Sequence, residues 1–174
     1  MKGFWILLIC SFGWTTNLVA EDACGKYERT AWKHWIDSDK DCQNTRHEVL
    51  LEESLGPVTF KTAKNCRVVS GSWLGAYSGE VFTDASQLDI DHLVPLKEAH
   101  ISGGYAWDAY RKRDYANDLS SPLGLIAVDK GLNRQKGASD PVDWLPPQQS
   151  YVEEYAQNRV AVKLRWGLTA DAAE

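Results

Sequence analysis

The chain has 174 residues, a net charge of −5, 44% hydrophobic residues and eight tryptophans. That length holds one domain with a sizeable core, and the acidic balance excludes a protein that coats nucleic acid by bulk charge alone. It leaves room for a local basic cleft, because seven basic residues stand against five acidic ones between Lys97 and Lys136.

Residues 1–20 read as a secretory signal peptide. Lys2 is the positive start, Phe4 to Trp14 the apolar stretch, and Leu18-Val19-Ala20 precedes a cut before Glu21. Thr15, Thr16 and Asn17 interrupt the apolar run too early for a comfortable membrane span. A retained anchor, or a lipoprotein at Cys10, is the alternative; Ile9 before that cysteine argues against the second. The expected organisation is a leader at 1–20 and one domain at 21–174, secreted to an extracellular or periplasmic space without stable membrane association. Cleavage removes Cys10 and leaves Cys24, Cys42 and Cys66. The expectation is a Cys42–Cys66 disulfide tying the start of a helix to a strand, with Cys24 unpaired or bridged to another chain. No CxxC or Cys/His cluster suggests structural zinc.

In chain order, Ala31 to Ile36 is predicted helical, with Trp32, Trp35 and Ile36 on its buried side. Thr45-Arg46-His47-Glu48 fits a capping box for a helix through Leu55, stopped by Gly56-Pro57. Val58 to Phe60 and Arg67 to Trp73 have strand character, and Gly71, Gly75 and Gly79 punctuate the loop beyond them. Leu88 to Leu93 alternates apolar and polar residues, a short strand with Asp89 and Asp91 on one face. Pro95 suits the start of a helix, and Tyr105 to Asn117 predicts another. Leu125 to Val128 is strand-like; Asp129 then caps a helix reaching Lys136, with Gly137 as its stop. Val152, Tyr155, Val162 and Trp166 share one face of a long terminal helix.

Two short motifs carry the chemistry. In Asp89-Ile90-Asp91-His92-Leu93-Val94-Pro95, Asp91 and His92 are neighbours on a strand and point to opposite sides. A metal held by Asp91 and a base at His92 would flank one phosphate, although a lone histidine is more often a hydrogen-bonded structural residue. In Asn133-Arg134-Gln135-Lys136-Gly137, Asn133 offers a neutral oxygen to a hard cation, and Arg134 and Lys136 offer charge to phosphates. Taken alone, that stretch also reads as a polar helix end. Arg46 and Arg111-Lys112-Arg113 are weaker phosphate candidates, with a salt bridge and a solvated helix face as the competing readings. His34, His47 and His100 are read as structural or exposed.

The ordered pair DIDHLVP, then LIAV followed by NRQKG, resembles the ββα-metal core of HNH endonucleases, including the HNH domain of the RNA-guided CRISPR nuclease. It is closer to small secreted HNH proteins related to the C-terminal nuclease domain of GmrSD-type restriction enzymes. CQNTRHEVL, CRVVSGSW, ANDL, SDPVDWLPP and VKLRWGL extend the likeness over nearly all of residues 27–168. The resemblance implies an α+β fold with a ββα-metal (His-Me finger) core, elaborated by several helices and a small N-terminal strand-helix region. It implies a secreted endonuclease acting on DNA, with His92 as general base. One divalent ion, Mg²⁺ or alternatively Mn²⁺, is expected on Asp91 and Asn133, with Arg134 and Lys136 contacting nucleic acid. A nuclease preferring RNA or indifferent to the sugar, and a binding protein on an inactive HNH scaffold, are the rival readings. Gly124 departs from the pattern, standing where an asparagine that orients the base loop is expected. Leu74-Gly75-Ala76 and His100 depart from it outside the proposed chemistry.

Overall fold

The computed structural model describes residues 24–170, so the expected leader and its cleavage point lie outside the described residues. The chain enters through a turn of 3₁₀ helix at Arg29–Ala31 and continues as an irregular arm. The helix predicted over Ala31 to Ile36 does not form, because the backbone there is bonded from elsewhere. Asn117 Nδ2 donates to the Lys33 carbonyl at 2.8 Å, and the Ile36 amide donates to Asn117 Oδ1 at 3.2 Å. The Thr45 amide donates to the Ile36 carbonyl at 2.9 Å. These long-range bonds replace those a helix would make, and Trp35 turns through φ 58°.

Helix α1 spans Thr45–Glu52, shorter than the run to Leu55. Its cap is Asn44, whose side chain accepts from the His47 amide at 3.3 Å, so Glu48 is released from the reciprocal capping expected of it. Arg46 donates to the carbonyls of Ala85 and Leu88, both at 2.9 Å, which makes it a clamp and removes it from phosphate binding. His47 Nδ1 accepts from the Val68 amide at 3.3 Å, a structural role as expected.

Strands β1 (Thr59–Phe60), β2 (Val68–Leu74) and β3 (Val81–Asp84) form an antiparallel sheet in that order. β3 lies outside the predicted elements, since four residues are too few to show a period. Gly71 allows the Trp73 indole to fold back, because a Cβ there would sit 2.7 Å from the ring. The indole Nε1 then donates to the Leu50 carbonyl at 2.7 Å. The Cys42–Cys66 disulfide forms as expected, joining the approach to α1 with the segment entering β2. Cys24 is also disulfide-bonded, where the sequence led us to expect an unpaired thiol or a bridge to another chain; the unpaired thiol is thereby corrected.

The second sheet pairs β4 (Leu88–His92) with β5 (Leu125–Asp129), antiparallel and unbroken from Leu88↔Asp129 to His92↔Leu125. Between them lie α2 (Leu96–Ile101) and α3 (Ala109–Ala116). The helix predicted from Tyr105 starts only at Ala109, where Asp108 accepts from the Arg111 amide at 2.8 Å. After β5, Asp129 accepts from the Leu132 amide at 2.6 Å and opens α4 (Lys130–Lys136), which ends at Gly137 with φ 56°. Helix α5 spans Val152–Trp166 and buries Tyr155 and Val162. Five α-helices and two small sheets among the described residues make the fold α+β.

The β4–β5 pair divides the core. Leu88, Ile90, Leu125 and Ala127 pack with Leu50 and Trp73; Leu93, Val94 and Val128 pack with Trp32, Tyr77, Tyr115 and Tyr155. Buried Glu98 on α2 pairs with Arg159 and, at 2.6 Å, with Lys163, both on α5. Arg159 also donates to the Leu93 carbonyl at 2.8 Å, so α5 grips the chain just beyond β4.

Glu53, one residue past α1, accepts from the Ala127 amide of β5 at 2.8 Å. Burial pushes its carboxyl up to about 7 from the ordinary 4.5, against the opposing pull of that hydrogen bond. Between those values the folded state binds the proton and the unfolded chain does not. Stability from this group is therefore full below 4.5 and is lost as pH rises through 7. Glu53→Gln retains an acceptor and should be more stable than the parent at mildly alkaline pH, with the gap closing on acidification. Denaturant midpoints across that range check this; a gap that widens toward low pH would contradict it.

Candidate active site

Alternation along β4 sends Leu88 and Ile90 into the core and turns Asp89 and Asp91 toward α4. Asp91 is 6% exposed. Its Oδ2 accepts from the Tyr77 hydroxyl at 2.6 Å and meets the Lys136 ammonium at 2.7 Å. Lys136 also donates to the His92 carbonyl at 3.1 Å. Both partners of Asp91 fall on Oδ2, and no bond to Oδ1 occurs among the described residues.

His92 ends the strand on the side opposite Asp91, as the adjacency predicts. Its Nε2 donates to the Ala116 carbonyl at 3.0 Å, which leaves Nδ1 as the acceptor of the neutral ring. The Tyr115 ring stacks at 6.3 Å and the Trp35 ring lies at 5.6 Å, with His34 edge-on at 6.3 Å. Burial pushes the imidazole down to about 3; the Ala116 bond opposes this, and the charges of His34, Arg29 and Lys136 add to it. The ring is therefore neutral at any physiological pH.

On α4, Asn133 Nδ2 donates to Asp89 Oδ2 at 3.4 Å, and Arg134 Nε lies 3.9 Å from the same oxygen. Asp91, His92, Asn133 and Arg134 line one cleft of about 330 Å³, together with Tyr27, Arg29 and Lys97. Arg29, Lys97 and Arg134 are all exposed. Four of the five residues singled out for chemistry thus share a cleft.

Lys136 is the exception. It is fully buried, so it holds Asp91 and the end of β4 instead of offering charge to solvent. Its contact with nucleic acid is withdrawn on that ground. The Arg111–Arg113 stretch is also engaged: Arg111 covers Trp107 and donates to the Trp166 carbonyl at 2.9 Å, and Arg113 pairs with Asp114.

Sequence reasoning missed Tyr77, Arg29, Lys97 and Asn117. Asn117 carried a signal, since it lies in the ANDL segment directly after the residue that orients His92. Its side chain makes four hydrogen bonds: with Lys33, Ile36, Thr45 and Arg113. Gly124, the main departure from the family pattern, donates nothing from a side chain, but its carbonyl accepts from the Leu93 amide at 3.1 Å. A Cβ at Gly124 would meet only the Asp118 carbonyl, at 3.9 Å, so the backbone leaves room for a side chain there.

The donor set suits a hard divalent cation: Asp91, with a carboxylate, and Asn133, with a carboxamide, line the same cleft. Among the described residues, three acidic side chains gather within reach of one ion elsewhere, at Asp37, Asp39 and Asp41 in the arm.

A protein of Arthroderma benhamiae described as an uncharacterized secreted protein is 39% identical over 148 residues, covering 85% of this chain and 70% of that protein. No solved structure matches the chain. Among the described residues no helix is long and apolar enough to cross a membrane. The family model for the C-terminal domain of GmrSD restriction endonucleases matches residues 45–174. That span contains β4, β5, α4 and every residue of the cleft except Tyr27 and Arg29. The chain belongs to the family of GmrSD restriction endonuclease C-terminal domains.

Proposed function

We propose that the chain is a secreted endonuclease of the HNH type that hydrolyses phosphodiester bonds of DNA, with His92 as general base. It is secreted, as its Arthroderma benhamiae relative is described to be. The observation that carries the reading is the shared cleft of His92, Asp91 and Asn133, on two antiparallel strands followed directly by a helix.

His92 Nδ1 takes the proton of the attacking water, while the Ala116 carbonyl holds the opposite nitrogen and so sets the ring's direction. Neutrality keeps that lone pair available. A phosphate entering the cleft brings negative charge toward a buried ring and raises its proton affinity. Arg29, Lys97 and Arg134 meet phosphate oxygens, Arg by a fork and Lys as a point charge. Tyr77 and Lys136 fix the Asp91 carboxylate through one oxygen, leaving the other for a ligand. A divalent ion such as Mg²⁺ or Mn²⁺, held by Asp91 and Asn133, would supply positive charge to the scissile phosphate and the leaving oxygen.

His92→Ala should stay folded and cleave plasmid at least ~10²-fold more slowly, the scale of losing a general base. Plasmid, linear DNA and RNA are compared with Mg²⁺, with Mn²⁺ and with chelator. Near-normal cleavage by a folded His92→Ala protein removes His92 from the mechanism, and activity that survives chelation removes the ion. A preference for RNA corrects the substrate alone.

The charges divide into two kinds with different readouts. Arg29→Ala and Arg134→Ala should each flatten the slope of log affinity against log salt by about one unit on short duplexes. They should change stability by no more than about 0.5 kcal/mol. Lys136→Met should lower stability by about 3–5 kcal/mol, because it strands a buried carboxylate. A stable Lys136→Met protein with a flattened salt slope would return Lys136 to the phosphate contacts.

A further inference from the structure

The arm that leads into α1 carries a cluster of acids separate from the cleft. The carboxylates of Asp37, Asp39 and Asp41 lie within 4.8 Å of one another on the surface. Exposed acids gather often without consequence, and what separates this group from that case is Glu48 in the first turn of α1. Its Oε2 is enclosed by protein and has no hydrogen-bond partner. Burial, and after it the charges of Asp39, Asp41 and Asp37, hold its carboxyl above the usual range. A carboxylate oxygen that is enclosed, that no donor reaches and that lies in the field of three further carboxylates is satisfied by a cation.

The spacing agrees. Asp37, Asp39 and Asp41 take the first, third and fifth places of a twelve-residue loop, and Glu48 takes the last, inside the helix beyond it. That is the order in which helix-flanked calcium loops place their oxygen ligands. Such loops carry glycine at the sixth place, where the chain must turn sharply. Here Cys42 occupies it at φ 79°, in the left-handed region, tethered by its disulfide to Cys66. The Cys42 amide donates to Asp37 Oδ2 at 3.1 Å, which curls the loop around its first ligand.

We propose that Asp37, Asp39, Asp41 and Glu48, with the backbone carbonyl of Gln43, form a Ca²⁺ site independent of the nuclease cleft. Four carboxylates and a carbonyl on a curled loop offer more oxygens than Mg²⁺, with its strict octahedron and tightly held waters, accepts from protein. The site is structural. Its first ligand comes directly after Ile36, and the preceding His34 and Trp35 pack against His92. Calcium therefore orders the arm that walls the base.

The test uses the intact, disulfide-bonded protein stripped of metal by chelator, with calorimetric titration and thermal melts in Ca²⁺ or Mg²⁺. One Ca²⁺ should bind with a Kd on the order of 10⁻⁴–10⁻³ M, the range of extracellular modules. The melting midpoint should rise by several degrees at saturation, with no comparable rise in Mg²⁺. Asp39→Asn, at an exposed position, and Glu48→Gln should each weaken binding by at least ~10-fold. Asp91→Asn should keep the full calcium response, which separates this site from the proposed nuclease ion. A parent protein whose midpoint ignores Ca²⁺, or an Asp39→Asn protein that responds like the parent, would overturn the proposal. Loss of the response in Asp91→Asn would place the ion in the cleft instead.

Discussion

The end of β4 is held by one buried ammonium. Lys136 reaches back from the last turn of α4 to the Asp91 carboxylate and the His92 carbonyl, and so fixes strand and helix against each other at the two residues of interest. A buried ion pair of this kind adds little net stability over an apolar pair of the same shape, because desolvation offsets most of the attraction. What it does supply is geometry. With Tyr77 and Lys136 both on Oδ2, the carboxylate cannot rotate freely, and its second oxygen keeps one direction. The register of β4 on β5 depends on the same contact, since a slip by one residue would carry Asp91 into the core and His92 toward α4.

His92 depends on a different set of residues. Its orientation comes from the Ala116 carbonyl at the end of α3, and its cover from Trp35 and Tyr115. Asn117 joins these parts. It caps α3 one residue beyond the orienting carbonyl and bonds the backbone of Lys33 and Ile36 on either side of the covering Trp35. The insertion between β4 and β5 is therefore part of the cleft's architecture, because it delivers the acceptor that selects the tautomer of His92. The Glu98–Arg159–Lys163 group does the same work at longer range, fixing α2 and the Leu93 carbonyl onto α5.

The parts legible in the sequence were those governed by local rules. The alternation of Leu88 to His92, the apolar run of Leu125 to Val128, the Asp129 cap and the Gly137 stop each need only a few neighbouring residues. All appear in the structure within a residue or two. The arm was misread because Trp32, Trp35 and Ile36 have helical spacing, while the bonds that shape the backbone come from Asn117, some eighty positions away. Lys136 was misread for a related reason. A lysine among polar residues at a helix end looks solvated, and only tertiary packing shows that a carboxylate on another element lies over it. The Thr45-to-Glu48 pattern reads as a capping box with Thr45 as the cap, whereas Asn44 is the cap and Thr45 the first helical residue. The cleft cations Arg29 and Lys97 belong to no pattern, since they reach the site from the 3₁₀ turn and from α2.

An acidic protein can hold a polyanion when its charges are sorted by depth and place. The 24 acidic and 19 basic residues give a net charge that speaks to solubility, but the field in a cleft comes from what lies within a screening length. That length is about 8 Å at physiological salt, so exposed acids farther away contribute little. The buried acids Asp91 and Glu98 are matched where they stand by Lys136, Arg159 and Lys163. Asp89 is engaged by Asn133 and Arg134. Arg29, Lys97 and Arg134 line the cleft itself. The sign of the whole molecule and the sign of its cleft are thus separate properties, and the second governs which ligand enters.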